Sequence, residues 1–209
     1  MKEVQDYYFK KAKKEGYPAR SVYKLEEAQQ KYHLLRKGDA VLDLGCQPGS
    51  WSLYAAKVIG PSGVVVGVDI QSGTQFTQQS GRAPIHFFLD DAFAEATEER
   101  IRGVRDRFQV VLSDMAPRTS GNRWTDQQLS LRLARRVVEL ARRFLVQGGN
   151  FYCKVFEGED FKDLVEEVRL LFGQVKIVKP KSSRNESREV FLLGLGYKGN
   201  EECRMQNEE

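Results

Sequence analysis

Cysteine and histidine are scarce in this chain. Its 209 residues hold three cysteines, Cys46, Cys153 and Cys203, far apart and with no CxxC spacing. That pattern indicates neither a zinc site nor a disulfide framework, and it suits a reducing cytoplasm. The two histidines, His33 and His86, stand apart from any Asp or Cys cluster, so no metal site is expected. His86 in IHFFL reads as a sheet residue rather than a ligand. No run of about 18 apolar residues occurs, which argues against a membrane span. The N-terminus, MKEVQDYYFKKAKKEGY, lacks the apolar region of a secretory signal. No GxGxxG follows the first predicted strand, and GxxxxGK[ST] is missing altogether, which argues against a nicotinamide dinucleotide and a P-loop nucleotide.

What is present fits one soluble domain over 1–209, with 41% hydrophobic and 30% charged residues. A basic helical segment is expected over 1–36 and a frayed polar tail over 198–209. The net charge is only +4, but its distribution is informative. Lys10, Lys11, Lys13, Lys14, Arg20 and Lys24 interleave with Tyr7, Tyr8, Phe9, Tyr17 and Tyr23. Lys176, Lys179, Lys181, Arg184 and Arg188 crowd a second stretch. Basic clusters mixed with aromatics suit a polyanion with stackable bases, although each cluster alone fits a solvated helix face equally well.

Strand signals fall at Ala40–Leu44, Val64–Ile70, Ile85–Leu89, Phe108–Asp114, Asn150–Phe156, Gln174–Val178 and Glu189–Tyr197. Several are continuous apolar runs, as in strands buried on both faces. Helices are predicted at Arg20–Tyr32, ahead of the first strand, and between strands at Ser50–Val58, Glu95–Val104 and around Phe161–Leu171. Another is marked by Leu129, Leu133, Val137, Leu140 and Phe144, with arginines opposite and Gly148-Gly149 as its expected end. The alternation implies an α/β, Rossmann-like doubly wound fold. Its seven-stranded sheet should be mostly parallel, because only the short Lys179–Arg188 loop joins the last two strands and makes that pair antiparallel. No apolar stripe is left obviously unpaired, so a monomer with no protein partner is expected.

The first strand runs into Asp43-Leu44-Gly45-Cys46-Gln47-Pro48-Gly49-Ser50-Trp51. Gly45 and Gly49 let the backbone turn and approach a ligand closely, and Ser50 is placed to cap the next helix. Asp69 ends the second strand, where an acid can bind ribose hydroxyls. Asp90-Asp91 follows the third, where either acid can meet an adenine amino group. This is the usual constellation for S-adenosylmethionine, and none of its residues would indicate it alone. Four charged residues then stand out: Lys24 in SVYKL, Asp114 in SDMAP, Lys154 in FYCKVF and Glu189 in SREVF. Lys154 lies inside an apolar strand, an expensive place for an ammonium. Two cations and two carboxylates brought together would balance charge and tune one another. A ribose hydroxyl is a poor nucleophile, and a lysine can serve as its base.

The pieces RSVYKLEE, VLDLGCQPGSWS, VVVGVDI, VVLSDMAP, GGNFYCKVFEGE and KPKSSRNESREVF resemble the FtsJ/RrmJ (RlmE) family of ribosomal RNA 2′-O-ribose methyltransferases, from about Tyr8 to Tyr197. The resemblance implies catalysis by a Lys-Asp-Lys-Glu tetrad at Lys24, Asp114, Lys154 and Glu189. Lys154 would accept the 2′-hydroxyl proton, and the other three would orient it and the ribose. It also implies S-adenosylmethionine contacts at Gly49, Trp51, Asp69, Asp91 and Asp114, beside Gly45. The implied substrate is a uridine of 23S ribosomal RNA in the large ribosomal subunit, with transfer RNA or a small-molecule hydroxyl as alternatives. A non-catalytic RNA-binding or assembly factor is disfavoured because all four tetrad positions are intact. Family members commonly read GAAPGGW in the glycine loop. The larger Cys46, Gln47 and Ser50 are therefore expected to alter the backbone's approach to the cofactor slightly. Arg118 and Arg123 in the RTSGNRW stretch either touch phosphates or face water.

Overall fold

Apolar strand residues alternate between two helical layers in this protein, seen here as a computed structural model. The structure describes residues 2–199 except 74, 75, 78, 185 and 186, and for 2–6 the backbone alone. Cys203 and most of the tail expected to fray lie outside the described residues.

The strands are β1 (Ala40–Leu44), β2 (Val64–Asp69), β3 (Ile85–Leu89), β4 (Phe108–Ser113), β5 (Leu145–Phe156), β6 (Phe172–Val178) and β7 (Glu189–Tyr197). They form one sheet in the order β3-β2-β1-β4-β5-β7-β6. Neighbours from β3 through β5 are parallel, and β7 runs antiparallel between β5 and β6. The helices are α1 (Lys2–Lys14), α2 (Val22–Tyr32), α3 (Ser50–Ile59), α4 (Glu95–Val104), α5 (Arg123–Phe144) and α6 (Phe161–Leu171).

The period-two rule divides the core. Val41, Val65, Val110, Leu112, Tyr152 and Phe191 point to one face, where α1, α2 and α3 pack. Leu42, Val66, Val111, Phe151, Cys153 and Leu192 point to the other, under α4, α5 and α6. In α6, Phe161, Leu164, Val165, Val168 and Leu171 form the buried stripe of an amphipathic helix. Fully burying a Leu or Val of this kind stabilises by roughly 1.5–3 kcal/mol, so a charge at Leu164 would dislodge the helix.

Two expectations fail here. Gly148-Gly149 does not end α5. The helix stops at Phe144 and the chain enters β5 at once. The pairing then shifts from Phe108–Leu145 to Val110–Asn150, so the glycines lie in a bulge of β5. A side chain on Gly149 would press on the Val146 and Gln109 carbonyls, and Gly148 has a φ of +79°. Nor does Ser50 cap α3. Gly49, at φ 99°, is the cap residue. The Ser50 hydroxyl instead accepts from the Ala19 N–H at 2.8 Å and donates to the Ala19 carbonyl at 3.1 Å.

Candidate active site

Period two also gathers the charged residues. Lys154 follows Tyr152 by two residues, Asp114 follows Leu112 by two, and Glu189 precedes Phe191 by two. All three therefore start from the face that carries Tyr152, Leu112 and Phe191, where α2 lies. Lys24 reaches them from α2. Its ammonium is 2.8 Å from Glu189 Oε1 and 3.8 Å from Asp114 Oδ1. Lys154 Nζ is 2.9 Å from the same Asp114 Oδ1 and also donates to the Asp114 carbonyl. Asp114 thus stands between two ammoniums, and the structure brings all four predicted residues together. Their side chains keep 9% (Lys154), 11% (Lys24), 13% (Glu189) and 20% (Asp114) of their exposure, so these are not weak surface pairs. Burial would raise the Glu189 carboxyl, but the Lys24 ammonium beside it brings it below its ordinary value.

Aromatic rings support the group. Trp51 stacks on Tyr152 at 5.6 Å and Tyr152 on Phe191 at 4.8 Å, and Lys24 Nζ lies 5.5 Å from the centre of the Phe191 ring. Trp51 Nε1 donates to the Ser21 carbonyl at 2.8 Å, and the Tyr152 hydroxyl donates to the Lys24 carbonyl at 3.2 Å. These bonds fix α2, and with it Lys24, against the sheet.

A cavity of about 590 Å³ adjoins Asp114 at the carboxyl ends of the parallel strands, where open α/β sheets hold ligands. Gly45, Asp69, Asp90, Asp91 and Asp114 line it, five of the residues singled out in the sequence. Asp69 accepts from the Gln47 amide at 2.9 Å and the Gln71 amide at 2.8 Å, which ties the glycine loop to the end of β2. Asp91 accepts from the Phe93 amide at 2.9 Å, whereas Asp90 is paired with Arg100. Gly45 has a φ of +74°, and a Cβ there would run into Met115. Gly49 and Trp51 do not contribute to the lining. Gly49 turns the chain into α3, and Trp51 is buried in the aromatic stack.

The three larger loop residues take separate directions. A side chain on Gly67 would meet Cys46 Sγ, so Cys46 is accommodated by that glycine under the loop. Ser50 bonds to Ala19, and Gln47 alone joins the lining. Sequence reasoning missed the apolar wall of Phe93, Met115, Leu129 and Leu133. On α5, Leu129, Arg132, Leu133 and Arg136 form an i, i+3, i+4, i+7 stripe that faces the cavity. Leu129 and Leu133 are therefore not core, as their spacing suggested. The buried side of the helix carries Leu131, Ala134, Val138 and Ala141 together with Val137, Leu140 and Phe144, which do pack in the core as their spacing indicated. Arg118 also lines the cavity, while Arg123 is exposed at the start of α5. Asp43 was missed as well. It is fully buried, accepts from the Ser52 hydroxyl at 2.6 Å, and has an Oδ1 with no hydrogen-bond partner among the described residues. Burial pushes its carboxyl up to about 7.

Residues 17–197 match the model of the FtsJ-like methyltransferase family. A protein of Desulfotalea psychrophila named ribosomal RNA large subunit methyltransferase E is 52% identical over 95% of this chain and 98% of its own length. One of the same name from Oleidesulfovibrio alaskensis is 48% identical over 95% of both. Among solved structures, a Plasmodium falciparum chain described as a ribosomal RNA methyltransferase superposes with a TM-score of 0.75 at 23% identity, over 88% of this chain and all of that one. Aeropyrum pernix fibrillarin, solved with S-adenosyl-L-methionine, gives 0.58 at 20% identity, over 84% of this chain and 76% of its own. Both structural likenesses are of fold. No described helix is long and apolar enough to cross a membrane.

Proposed function

From a chain that belongs to the FtsJ-like methyltransferase family, we propose an enzyme that methylates a ribose 2′-hydroxyl, on a uridine of 23S ribosomal RNA in the large ribosomal subunit. We assign it to the cytoplasm. The observation that carries this reading is the convergence of Lys24, Asp114, Lys154 and Glu189 on one sheet face beside the cavity. The names of the close relatives support ribosomal RNA as the substrate.

The cavity fits S-adenosylmethionine. Asp69 suits a ribose diol, and Asp91, whose carboxylate has only a backbone amide as partner among the described residues, suits an adenine amino group better than the Arg100-paired Asp90. Phe93, Leu129 and Leu133 offer apolar walls, and Gly45 opens the backbone where any Cβ would collide with Met115. When bound, S-adenosylmethionine supplies an electrophilic methyl group on a sulfonium.

As the neutral amine, Lys154 takes the proton from the attacking 2′-hydroxyl and becomes the ammonium that Asp114 balances. Asp114 holds Lys154 by side chain and main chain and keeps Lys24 as a partner when that proton moves. Glu189 holds Lys24, so that two carboxylates balance two cations around the ribose. This is positioning plus the management of one proton. Exposed Tyr7 and Phe9, with the lysines of α1, offer the RNA a basic and aromatic approach.

The test is label transfer from S-adenosylmethionine to large subunits lacking the modification, mapped by nuclease digestion. Label on one ribose 2′-oxygen with the wild type, lost in Lys154→Met, is the expected result. Failure to label ribosomal RNA while the cofactor binds would reject the substrate assignment.

A further inference from the structure

We propose that Glu27 is a positioning residue, which grips the turn between β6 and β7 and so fixes Glu189 against Lys24. The inference rests on the functional reading above and extends it to a residue outside the tetrad. Glu27 lies three residues after Lys24 on α2, so the two side chains emerge from one side of the helix. Its carboxylate accepts from the Lys181 N–H at 2.7 Å and the Ser182 N–H at 2.9 Å. Ionised acceptors of this kind make stronger bonds than neutral ones. The gripped stretch is tucked in: Ser182 and Ser183 are buried, and the Ser183 N–H donates to the Pro180 carbonyl at 3.1 Å.

The far side of the turn is tied as well. Lys179 Nζ donates to the Ser187 carbonyl and, at 2.7 Å, to the Glu189 carbonyl. The Glu189 N–H donates to the Ser187 hydroxyl at 3.2 Å. Carboxylate contacts therefore tie helix α2 to the β6–β7 unit at two points one turn apart. At the first, Lys24 holds the Glu189 carboxylate. At the second, Glu27 holds the backbone that leads to it. With the second point gone, the backbone that leads to Glu189 loses its tie to α2, and the salt bridge remains as the polar link between Lys24 and Glu189.

Releasing the turn should let Glu189 move away from Lys24. The groups around that carboxylate are Lys24 from α2, Lys154 and Tyr152 from β5, and Ser183 from the turn, with Asp114 sharing Lys24 and Lys179 held at the Glu189 backbone. Less contact with Lys24 leaves burial as the dominant influence, so the Glu189 carboxyl must titrate at higher pH. A residue with a purely structural role would lower stability without moving that titration.

The experiment follows the ¹³C carboxyl signal of Glu189 against pH in the full chain, for wild type, Glu27→Gln and Glu27→Ala. Steady-state methylation of large subunits and the binding of S-adenosylmethionine are measured in parallel. Glu27→Ala should move the Glu189 titration upward and lower kcat about 10- to 100-fold, the scale of a small misplacement, with cofactor affinity unchanged. Glu27→Gln keeps one acceptor oxygen and should fall between; it carries the reading alone if the alanine variant does not fold. An unchanged Glu189 titration in either folded variant overturns the proposal. A wild type that binds the cofactor but methylates no RNA rejects the functional reading instead, and the titration still decides whether Glu27 positions Glu189.

Discussion

Replacing Lys154 separates its charge from its proposed work as a base. In Lys154→Met, side-chain volume is nearly kept, so few contacts with the surrounding strands are lost. The electrostatic loss is larger. Lys154 retains 9% exposure and Asp114 20%, and their charged atoms are 2.9 Å apart. Breaking a buried pair costs about 3–5 kcal/mol, chiefly because the surviving charge is left unpaired. Here Asp114 keeps Lys24 at 3.8 Å, so the lower end, about 3 kcal/mol or less, is expected. Domains are typically stable by about 5–15 kcal/mol, and the variant should stay folded at 25 °C. Loss of a general base lowers the rate about 10²- to 10⁴-fold. Lys154→Arg completes the design. It keeps a cation near Asp114, yet a guanidinium does not give up its proton at working pH. The assay is single-turnover methylation of large subunits at saturating cofactor, beside thermal melts and calorimetric cofactor binding. Both variants should lose methylation by at least about 10²-fold while binding the cofactor normally, and the arginine variant should melt closer to wild type. A folded Lys154→Arg protein with kcat within about threefold of wild type would refute the assignment of Lys154 as the base and leave it an electrostatic role.

Three other perturbations address the loop, the core and the RNA approach. Gly45→Ala places a Cβ against Met115 at a φ of +74°; overpacking costs about 1–3 kcal/mol and a left-handed backbone about 1–2 kcal/mol, and because both residues line the cavity, relief of that strain should displace the lining and lower cofactor affinity, measured by calorimetry, by at least about tenfold. Asp43 has its carboxyl raised to about 7 in the folded protein, against about 3.9 when unfolded. A raised carboxyl loses stability as pH climbs from the unfolded value through the folded one, here between about 4 and 7, by up to about 4 kcal/mol. Relative to wild type, Asp43→Asn should therefore gain stability across that window and level off above it. Urea unfolding at pH 5 and pH 8 reads the difference, and an equal gap at both pH values would contradict it. Arg20→Ala or Lys10→Ala should weaken RNA binding and flatten its salt dependence, with cofactor affinity intact; binding curves that match wild type at low salt would remove those residues from the RNA surface.

Much of the site was legible because β-strands obey a period of two. Leu112 to Asp114, Tyr152 to Lys154 and Glu189 to Phe191 each keep one face, so three charges at strand ends had to emerge on one side of the sheet. What hid the rest was the number of faces a helix can use. Leu129 and Leu133 have the spacing of core residues, but α5 borders a cavity along one edge and the sheet along the next, and each edge is apolar for its own reason. Periodicity marks an apolar edge without saying what covers it. Trp51 illustrates the same ambiguity on α3. The family resemblance pointed it at the cofactor, whereas the helix turns it under Tyr152 and Phe191, where its indole N–H holds Ser21. Glu27 was invisible for a different reason. Its partners are the backbone amides of Lys181 and Ser182, which carry no side-chain signature and become adjacent only when α2 settles on the sheet. A sequence can display charges that meet other charges, because both partners are written in it. A charge that meets backbone shows only one partner, and the fold alone supplies the other.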